Sequence, residues 1–213
     1  METPVHRTRL VVLVSGNGSN LQAIIDACSD GRIAAEVVAV VSSRADALAH
    51  VRAEAAGIPS LTVTAIAGES RATYDGRLAD IVAGFAPDHV VLAGWMRILT
   101  MSFLGWFPSS VINLHPALPG ELAGTKAIER AWHEARAGDR DTSGVMVHLV
   151  PDEGVDDGPV LATRRVPVSS DDSLDDFAAR MHQTEHELLV EVLAERCRRQ
   201  SERSDPQPAE ATA

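Results

Sequence analysis

Short apolar runs alternate with helical segments through the first half of the chain. Residues 10–14 read Leu-Val-Val-Leu-Val, which predicts a strand that is buried on both faces. Strands that alternate with helices are joined by right-handed crossovers and pair in parallel. The pattern therefore predicts an α/β fold with helices on both faces of a mostly parallel sheet. The predicted strands are residues 10–14, 35–41, 60–63 and 89–93, and the predicted helices are residues 19–28, 44–56 and 71–85.

The pattern changes after residue 142. Residues 145–150 and 158–168 predict two longer, antiparallel strands joined by the loop 151–157, and residues 173–198 predict a final helix. The last residues are rich in Ser, Asp, Glu, Pro and Ala, a composition typical of disorder. We therefore predict one domain over residues 9–200, with an antiparallel C-terminal portion, and disordered tails over residues 1–8 and 201–213.

The composition of the chain indicates its cellular compartment and the kinds of partner that it binds. The 213 residues carry a formal net charge of −11, which argues against a broad nucleic-acid surface. The apolar run 10–14 is shorter than a signal-peptide core of at least about 7 residues, and no run approaches the roughly 20 residues of a membrane span. Cys28 and Cys197 form neither a disulfide framework nor a CxxC metal site. We predict a cytoplasmic protein that binds small molecules, and neither nucleic acid nor membrane.

A polar tetrapeptide, Asn113-Leu114-His115-Pro116, follows the run Ser110-Val111-Ile112. Because strand side chains alternate, Asn113 and His115 would share one face and Leu114 would point the other way. Pro116 forces the chain to turn. An amide and an imidazole at the carboxyl edge of a parallel sheet could stabilise an oxyanion. An Asn that caps the turn beside a hydrogen-bonded histidine is the alternative.

The loop Ser15-Gly16-Asn17-Gly18-Ser19-Asn20 joins the first strand to the first helix. Glycines let the backbone approach an anion, and the helix N-terminus supplies free N–H groups. Leu21 replaces the third glycine of the dinucleotide fingerprint, and no Lys-Ser/Thr follows, so the loop is not a Walker A motif. It predicts a monophosphate site at Gly18, Ser19 and Asn20. A tight strand–helix turn capped by Ser19 explains the loop equally well.

Two further segments predict parts of a binding site. Residues 91–99 pass from a buried strand into an apolar loop, which at a sheet edge can line a slot for a flat heteroaromatic ligand. Ordinary core packing of Trp95 and Met96 is the alternative. Asp156 lies in the acidic loop 152–158, and an aspartate held near His115 would raise the imidazole pKa and fix the orientation of the ring.

Residues 182–186 read His-Gln-Thr-Glu-His, the inverted zinc-protease pattern. His182 and His186 would share one helix face. A third ligand would have to come from Glu187, Glu191 or Glu195, and nothing in the sequence distinguishes one of them. An exposed, charged helix face explains this segment better, so we predict no metal site.

Four segments together identify a family resemblance from about residue 10 to about residue 193. They are residues 14–21, 91–99, 113–116 and 156–160, and they occur in family order at family spacing. The chain resembles the phosphoribosylglycinamide formyltransferases, which are folate-dependent enzymes of de novo purine synthesis. None of the four segments is specific alone.

The resemblance implies a Rossmann-like formyltransferase fold and a small-molecule reaction without a metal. The formyl group of the co-substrate 10-formyltetrahydrofolate would pass to the amine of phosphoribosylglycinamide, giving formylglycinamide ribonucleotide and tetrahydrofolate. A homodimer is compatible with it. The implied catalytic residues are Asn113, His115 and Asp156, the ribonucleotide contacts are Gly18, Ser19, Asn20 and Glu185, and the folate contacts are Arg71, Met96, Arg97, Ile98, Leu99 and Val150.

Proteins related to this family suggest alternative functions for the chain. Formyltetrahydrofolate hydrolases use the same catalytic trio with water as acceptor, but they carry an N-terminal regulatory domain, for which a strand starting near residue 10 leaves no room. Methionyl-tRNA formyltransferases have a further C-terminal RNA-binding domain and a basic surface, whereas this chain ends in an acidic tail. A non-catalytic nucleotide- or folate-binding module would not need Asn113, His115 and Asp156 together.

Overall fold

The apolar runs form one seven-stranded sheet in the computed structural model, which describes residues 7–204. The strands are β1 (Thr8–Val14), β2 (Ala35–Ser42), β3 (Ser60–Thr62), β4 (His89–Leu92), β5 (Val111–His115), β6 (Thr142–Leu149) and β7 (Val160–Pro167). Their order is β3-β2-β1-β4-β5-β6-β7. The first five strands pair in parallel, and β6 is antiparallel to both β5 and β7. The predicted fold class is therefore confirmed.

Six helices accompany the sheet in the described part of the chain. They are α1 (Ser19–Ser29), α2 (Ala49–Ala55), α3 (Arg71–Ala83), α4 (Met101–Leu104), α5 (Ala127–Ala137) and α6 (Leu174–Ser204). The prediction that α2 begins at residue 44 is wrong. The Ser42 hydroxyl donates to the Arg44 carbonyl and accepts from the Arg44 N–H, and this closes a turn where the helix was expected.

The sequence pattern did not predict α4 and α5. A single turn, as in α4, is too short to show a helical period. The buried face of α5 consists of Ala127, Ala131 and Ala135, whose small side chains give only a weak apolar signal.

Regular secondary structure extends slightly beyond residues 9–200. Thr8 is buried and pairs with Ala35 in the sheet, and α6 continues to Ser204. The remainder of the predicted tails, residues 1–6 and 205–213, lies outside the described residues. Within residues 7–204, no helix is both long enough and apolar enough to cross a membrane.

Two apolar cores lie on opposite faces of the sheet. Alternate residues of β1 divide between them, with Val12 in one core and Leu13 in the other. The first core packs β1 against α1 and α6, and the second packs it against α3 and α4. Helices therefore cover both faces of the sheet. Because both faces are covered, a ligand can reach the sheet only at an edge, and in α/β folds this is the carboxyl edge of the parallel strands.

That edge opens between β1 and β4. The strand order runs in opposite directions on the two sides of this point, so the loops that follow β1 and β4 diverge and leave a crevice. Ser15 ties the two loops together, because its N–H donates to the Gly94 carbonyl (3.1 Å) and its hydroxyl accepts from the Met96 N–H (3.0 Å).

Candidate active site

A cleft of about 830 Å³ occupies this crevice. Its walls come from the loops after β1, β4, β5 and β6, the start of α5, and one side of α6. It contains every sequence-predicted site residue except Arg71. The predicted residues that line it are Gly18, Ser19, Asn20, Met96, Arg97, Ile98, Leu99, Asn113, His115, Val150, Asp156 and Glu185.

Asn113 and His115 lie side by side on one face of β5. Leu114, between them, packs with Ile112 in the opposite core, as strand alternation predicts. The strand continues through His115, which pairs with Met146 of β6. Asn113 and His115 are therefore both hydrogen-bonded strand residues and not loop residues. A rigid strand therefore fixes the spacing of the amide and the imidazole.

Asp156 joins this pair from the loop after β6. Its Oδ1 accepts from Asn113 Nδ2 at 3.1 Å, and its Oδ2 lies 3.2 Å from His115 Nδ1. Oδ2 also accepts from the Gly124 N–H at 2.9 Å. The neighbouring Asp157 is exposed, and its carboxylate packs against Gly154. Asp156, and not Asp157, therefore meets the other two predicted residues.

Burial determines the pKa of His115. Desolvation lowers the pKa below its usual 6.5, and the nearby His148 acts in the same direction. Asp156 raises it, as expected from the sequence, but burial outweighs this attraction. Nδ1 faces Asp156, and Nε2 is buried without a hydrogen-bond partner among the described residues. That nitrogen therefore keeps its hydrogen-bonding capacity, whereas Nδ1 is occupied by Asp156.

The carboxyl of Asp156 shows the opposite balance. Burial acts to raise its pKa, but the neighbouring His148, the Gly124 N–H and His115 together outweigh burial. The pKa is therefore lower than usual, and the group is a carboxylate at neutral pH.

His148 is a site residue that the sequence analysis missed. It lies opposite Asn113 in the β5–β6 register, and its Nε2 is 3.0 Å from Asn113 Nδ2. Its Nδ1 lies 2.8 Å from the Leu149 carbonyl, which can only accept, so Nδ1 carries a proton. In the neutral ring Nε2 accepts from Asn113, and in the charged ring it faces Asp156 Oδ1 at 3.6 Å. A lone histidine in an apolar strand was the available signal, but the sequence does not give the register that brings it to Asn113.

The glycine loop brings free backbone donors to one end of the cleft. Gly18 has φ +76°, and α1 starts at the next residue without a side-chain cap. The first intrahelical bond is from the Gln22 N–H to the Gly18 carbonyl, so the N–H groups of Ser19 and Asn20 are not used within the helix. This geometry is suited to an anion.

The apolar segment after β4 forms another wall. Met96 is 69% exposed and Ile98 is 42% exposed, whereas Leu99 is buried. Arg97 lies over the Tyr74 ring, 4.3 Å from its centroid, which fixes the guanidinium beside the slot. Arg71 is exposed at the first residue of α3 and is not part of the cleft lining.

Glu185 reaches the cleft from α6 and is 5% exposed. Its Oε2 lies 2.8 Å from His182 Nδ1, and this hydrogen bond raises the pKa of His182. Within the part of the chain that the structure describes, no three His, Cys, Asp or Glu side chains are grouped to hold a metal ion. The zinc hypothesis for residues 182–186 therefore gains no support from the geometry.

Known proteins are similar to this chain in sequence and in fold. The formyl transferase family model matches residues 8–193. The phosphoribosylglycinamide formyltransferase of Escherichia coli K12 is 44% identical over 185 residues, covering 87% of this chain and 85% of that protein. The Schizosaccharomyces pombe protein of the same name is 41% identical over 196 residues, covering 86% and 94%. Glycinamide ribonucleotide transformylase 1 of Symbiobacterium toebii superposes with a TM-score of 0.85 at 36% identity, covering 91% and 89%. The chain therefore belongs to the formyl transferase family.

Proposed function

We propose that this chain transfers the formyl group of 10-formyltetrahydrofolate to the amine of phosphoribosylglycinamide. The observation that carries the proposal is the meeting of Asn113, His115 and Asp156 in one cleft with an anion-binding loop and an apolar slot. Two substrates held in these subsites would present the amine and the formyl carbon to one polar cluster. The E. coli and S. pombe relatives are phosphoribosylglycinamide formyltransferases, which supports this choice of acceptor.

The ribonucleotide phosphate binds at the start of α1. Gly18 allows close backbone approach, and Ser19 and Asn20 offer N–H groups at the positive end of the helix dipole. Glu185 lines the same cleft and accepts hydrogen bonds from the ribose or amine side of this substrate. This arrangement points the glycinamide amine away from the phosphate subsite and toward β5.

The folate occupies the slot formed by the segment after β4. The exposed apolar side chains of Met96 and Ile98 lose contact with water when a flat ring covers them, which favours binding. Arg97, Leu99 and Val150 complete this subsite. The folate contact expected for Arg71 stays a prediction, as do the cytoplasmic location and the homodimer.

Attack of the amine on the formyl carbon creates a tetrahedral centre with a negatively charged oxygen. Nε2 of His115, in its protonated form, donates to this oxygen. Both protons of Asn113 Nδ2 face acceptors, His148 Nε2 and Asp156 Oδ1. Asn113 therefore exchanges its bond to Asp156 for a bond to the oxyanion, while His148 holds the amide in place.

Charge then controls the proton transfers. The developing oxyanion favours the imidazolium form of His115, and the Asp156 carboxylate stabilises that cation from the Nδ1 side. The new bond joins the amine nitrogen to the formyl carbon, and the bond from that carbon to the folate nitrogen breaks. The proton lost by the amine passes to the departing folate nitrogen, through water organised by Asp156.

A spectroscopic assay of 10-formyltetrahydrofolate deformylation, with and without phosphoribosylglycinamide, tests the proposal. We expect turnover only when the ribonucleotide is present. Rapid deformylation that is unaffected by the ribonucleotide would assign water as the acceptor and make the chain a hydrolase.

A further inference from the structure

Arg52 of α2 donates three hydrogen bonds to the loop before α1 and to α1 itself. Its Nε donates to the Asn17 backbone carbonyl at 2.9 Å, and its Nη2 donates to Asn17 Oδ1 at 2.9 Å. Its Nη1 donates to Gln22 Oε1 at 3.3 Å. The planar guanidinium thus holds both oxygens of one loop residue, a geometry that a lysine ammonium does not reproduce.

The same helix packs directly against the loop. The Ala49 N–H donates to the Gly16 carbonyl at 3.3 Å. A Cβ added to Gly18 would lie 2.9 Å from the Ala49 Cβ, so the loop backbone and α2 are in close contact. Because Ala49 and Arg52 are three positions apart, they lie on one face of α2. That face contacts three successive loop residues, Gly16, Asn17 and Gly18.

The bonds from Arg52 also orient the Asn17 side chain. The amide oxygen accepts from the guanidinium, so the amide nitrogen points away from Arg52 and remains a donor. Asn17 lines the cleft beside the start of α1. Residues 15–20 contain no lysine or arginine, and the three acceptors of Arg52 are neutral oxygens. The positive charge of Arg52 therefore lies next to the loop and is not shared with a carboxylate in these three hydrogen bonds.

We propose that Arg52 is a positioning residue for the phosphate of the ribonucleotide. Arg52 acts through Asn17. It holds the loop so that the amide nitrogen of Asn17 and the backbone N–H groups of Ser19 and Asn20 point toward one anion. The role rests on the proposed function, because it assumes that the loop binds the phosphate of that substrate.

The test uses the full chain with Arg52→Met and Arg52→Lys, and with Arg44→Met as the matched control. Arg44 is exposed and pairs with Asp46, so its loss leaves the loop intact. For Arg52→Met we expect about a tenfold rise in the ribonucleotide KM and in its calorimetric Kd. The inhibition constant of inorganic phosphate should rise by the same factor. The folate KM and kcat at saturation should stay unchanged, and Arg52→Lys should recover only part of the loss.

The outcomes separate the two proposals. Wild-type protein that neither binds nor formylates the ribonucleotide contradicts the proposed function. Wild-type protein that does both, beside Arg52→Met with unchanged ribonucleotide and phosphate affinity, overturns the role of Arg52 alone. An equal rise in both KM values with a lowered Tm would also overturn it, because the residue would then support the fold in general. A wild-type ribonucleotide KM and Kd in Arg52→Lys would contradict positioning by the planar guanidinium group.

Discussion

The Asp156 carboxylate lies 3.2 Å from the His115 imidazole, and 11% and 4% of these side chains are exposed. Asp156 has φ +55°, in the left-handed region that few non-glycine residues occupy. Such a conformation costs on the order of 1 kcal/mol. Hydrogen bonds from Asn113 and the Gly124 N–H offset this cost. The loop conformation and the polar cluster therefore stabilise each other.

Asp156→Asn is expected to lower kcat by roughly 10²–10³ and to change both KM values little, because the amide cannot stabilise the imidazolium by charge. The pKa of His115, already lowered by burial, should fall further, since Asp156 is the strongest of the influences that raise it. Kinetics and NMR titration of the His115 ring measure both effects. Asp157→Asn is the matched control and should behave as wild type.

Combining His115→Ala with Asp156→Asn should cost hardly more than the larger single loss, because both substitutions disable one unit. Additive losses in kcat, with an unchanged His115 pKa in Asp156→Asn, would show that Asp156 acts independently through water or substrate.

His148→Ala should lower kcat about tenfold with little change in either KM, because Asn113 loses the acceptor that orients its amide. His148→Gln offers an amide oxygen in place of Nε2 and should recover part of the rate. Thermal unfolding of both variants separates this effect from damage to the core. Equal kcat values for the Ala and Gln variants would refute an orienting role.

Gly18→Ala should destabilise the fold by on the order of 1 kcal/mol, since alanine is strained at φ +76° and its Cβ would meet Ala49. The ribonucleotide KM should rise as the loop shifts. Gly16→Ala is the control, because a Cβ there meets nothing within 4 Å. Urea unfolding and steady-state kinetics compare the two. Similar losses of stability in both variants would contradict the close contact with α2.

Acid should destabilise the protein through His89. Its imidazole is buried, and burial, reinforced by Arg196, lowers its pKa from 6.5 to about 4 against the opposing charge of Asp88. The unfolded chain therefore binds a proton more readily than the folded chain. The free energy of unfolding should fall between pH 6.5 and about 4, by on the order of 3 kcal/mol from this group.

His89→Leu removes that contribution, so its urea-unfolding free energy should depend less on pH over the same window. Parallel pH profiles for wild type and His89→Leu would show that His89 is not responsible.

The features of this structure that could be predicted from the sequence are those that local periodicity determines. Runs such as residues 10–14 give strands because every side chain is apolar, and alternation alone places Asn113 and His115 on one face. Contacts between distant segments were harder to foresee. The approach of Asp156 to His115 was expected only from the family resemblance, because it depends on a left-handed backbone conformation in a polar loop. The contact of His148 with Asn113 depends on the antiparallel register of β5 and β6, which no local pattern gives.

The fate of the formyl carbon tests the central claim most directly. The protein is mixed with phosphoribosylglycinamide and with 10-formyltetrahydrofolate whose formyl carbon is isotopically labelled, and the products are followed by NMR. The account predicts that the label appears as a formamide on the ribonucleotide, and that Asp156→Asn forms this product roughly 10²–10³ times more slowly. Label released as free formate, with the ribonucleotide amine unchanged, would contradict the account.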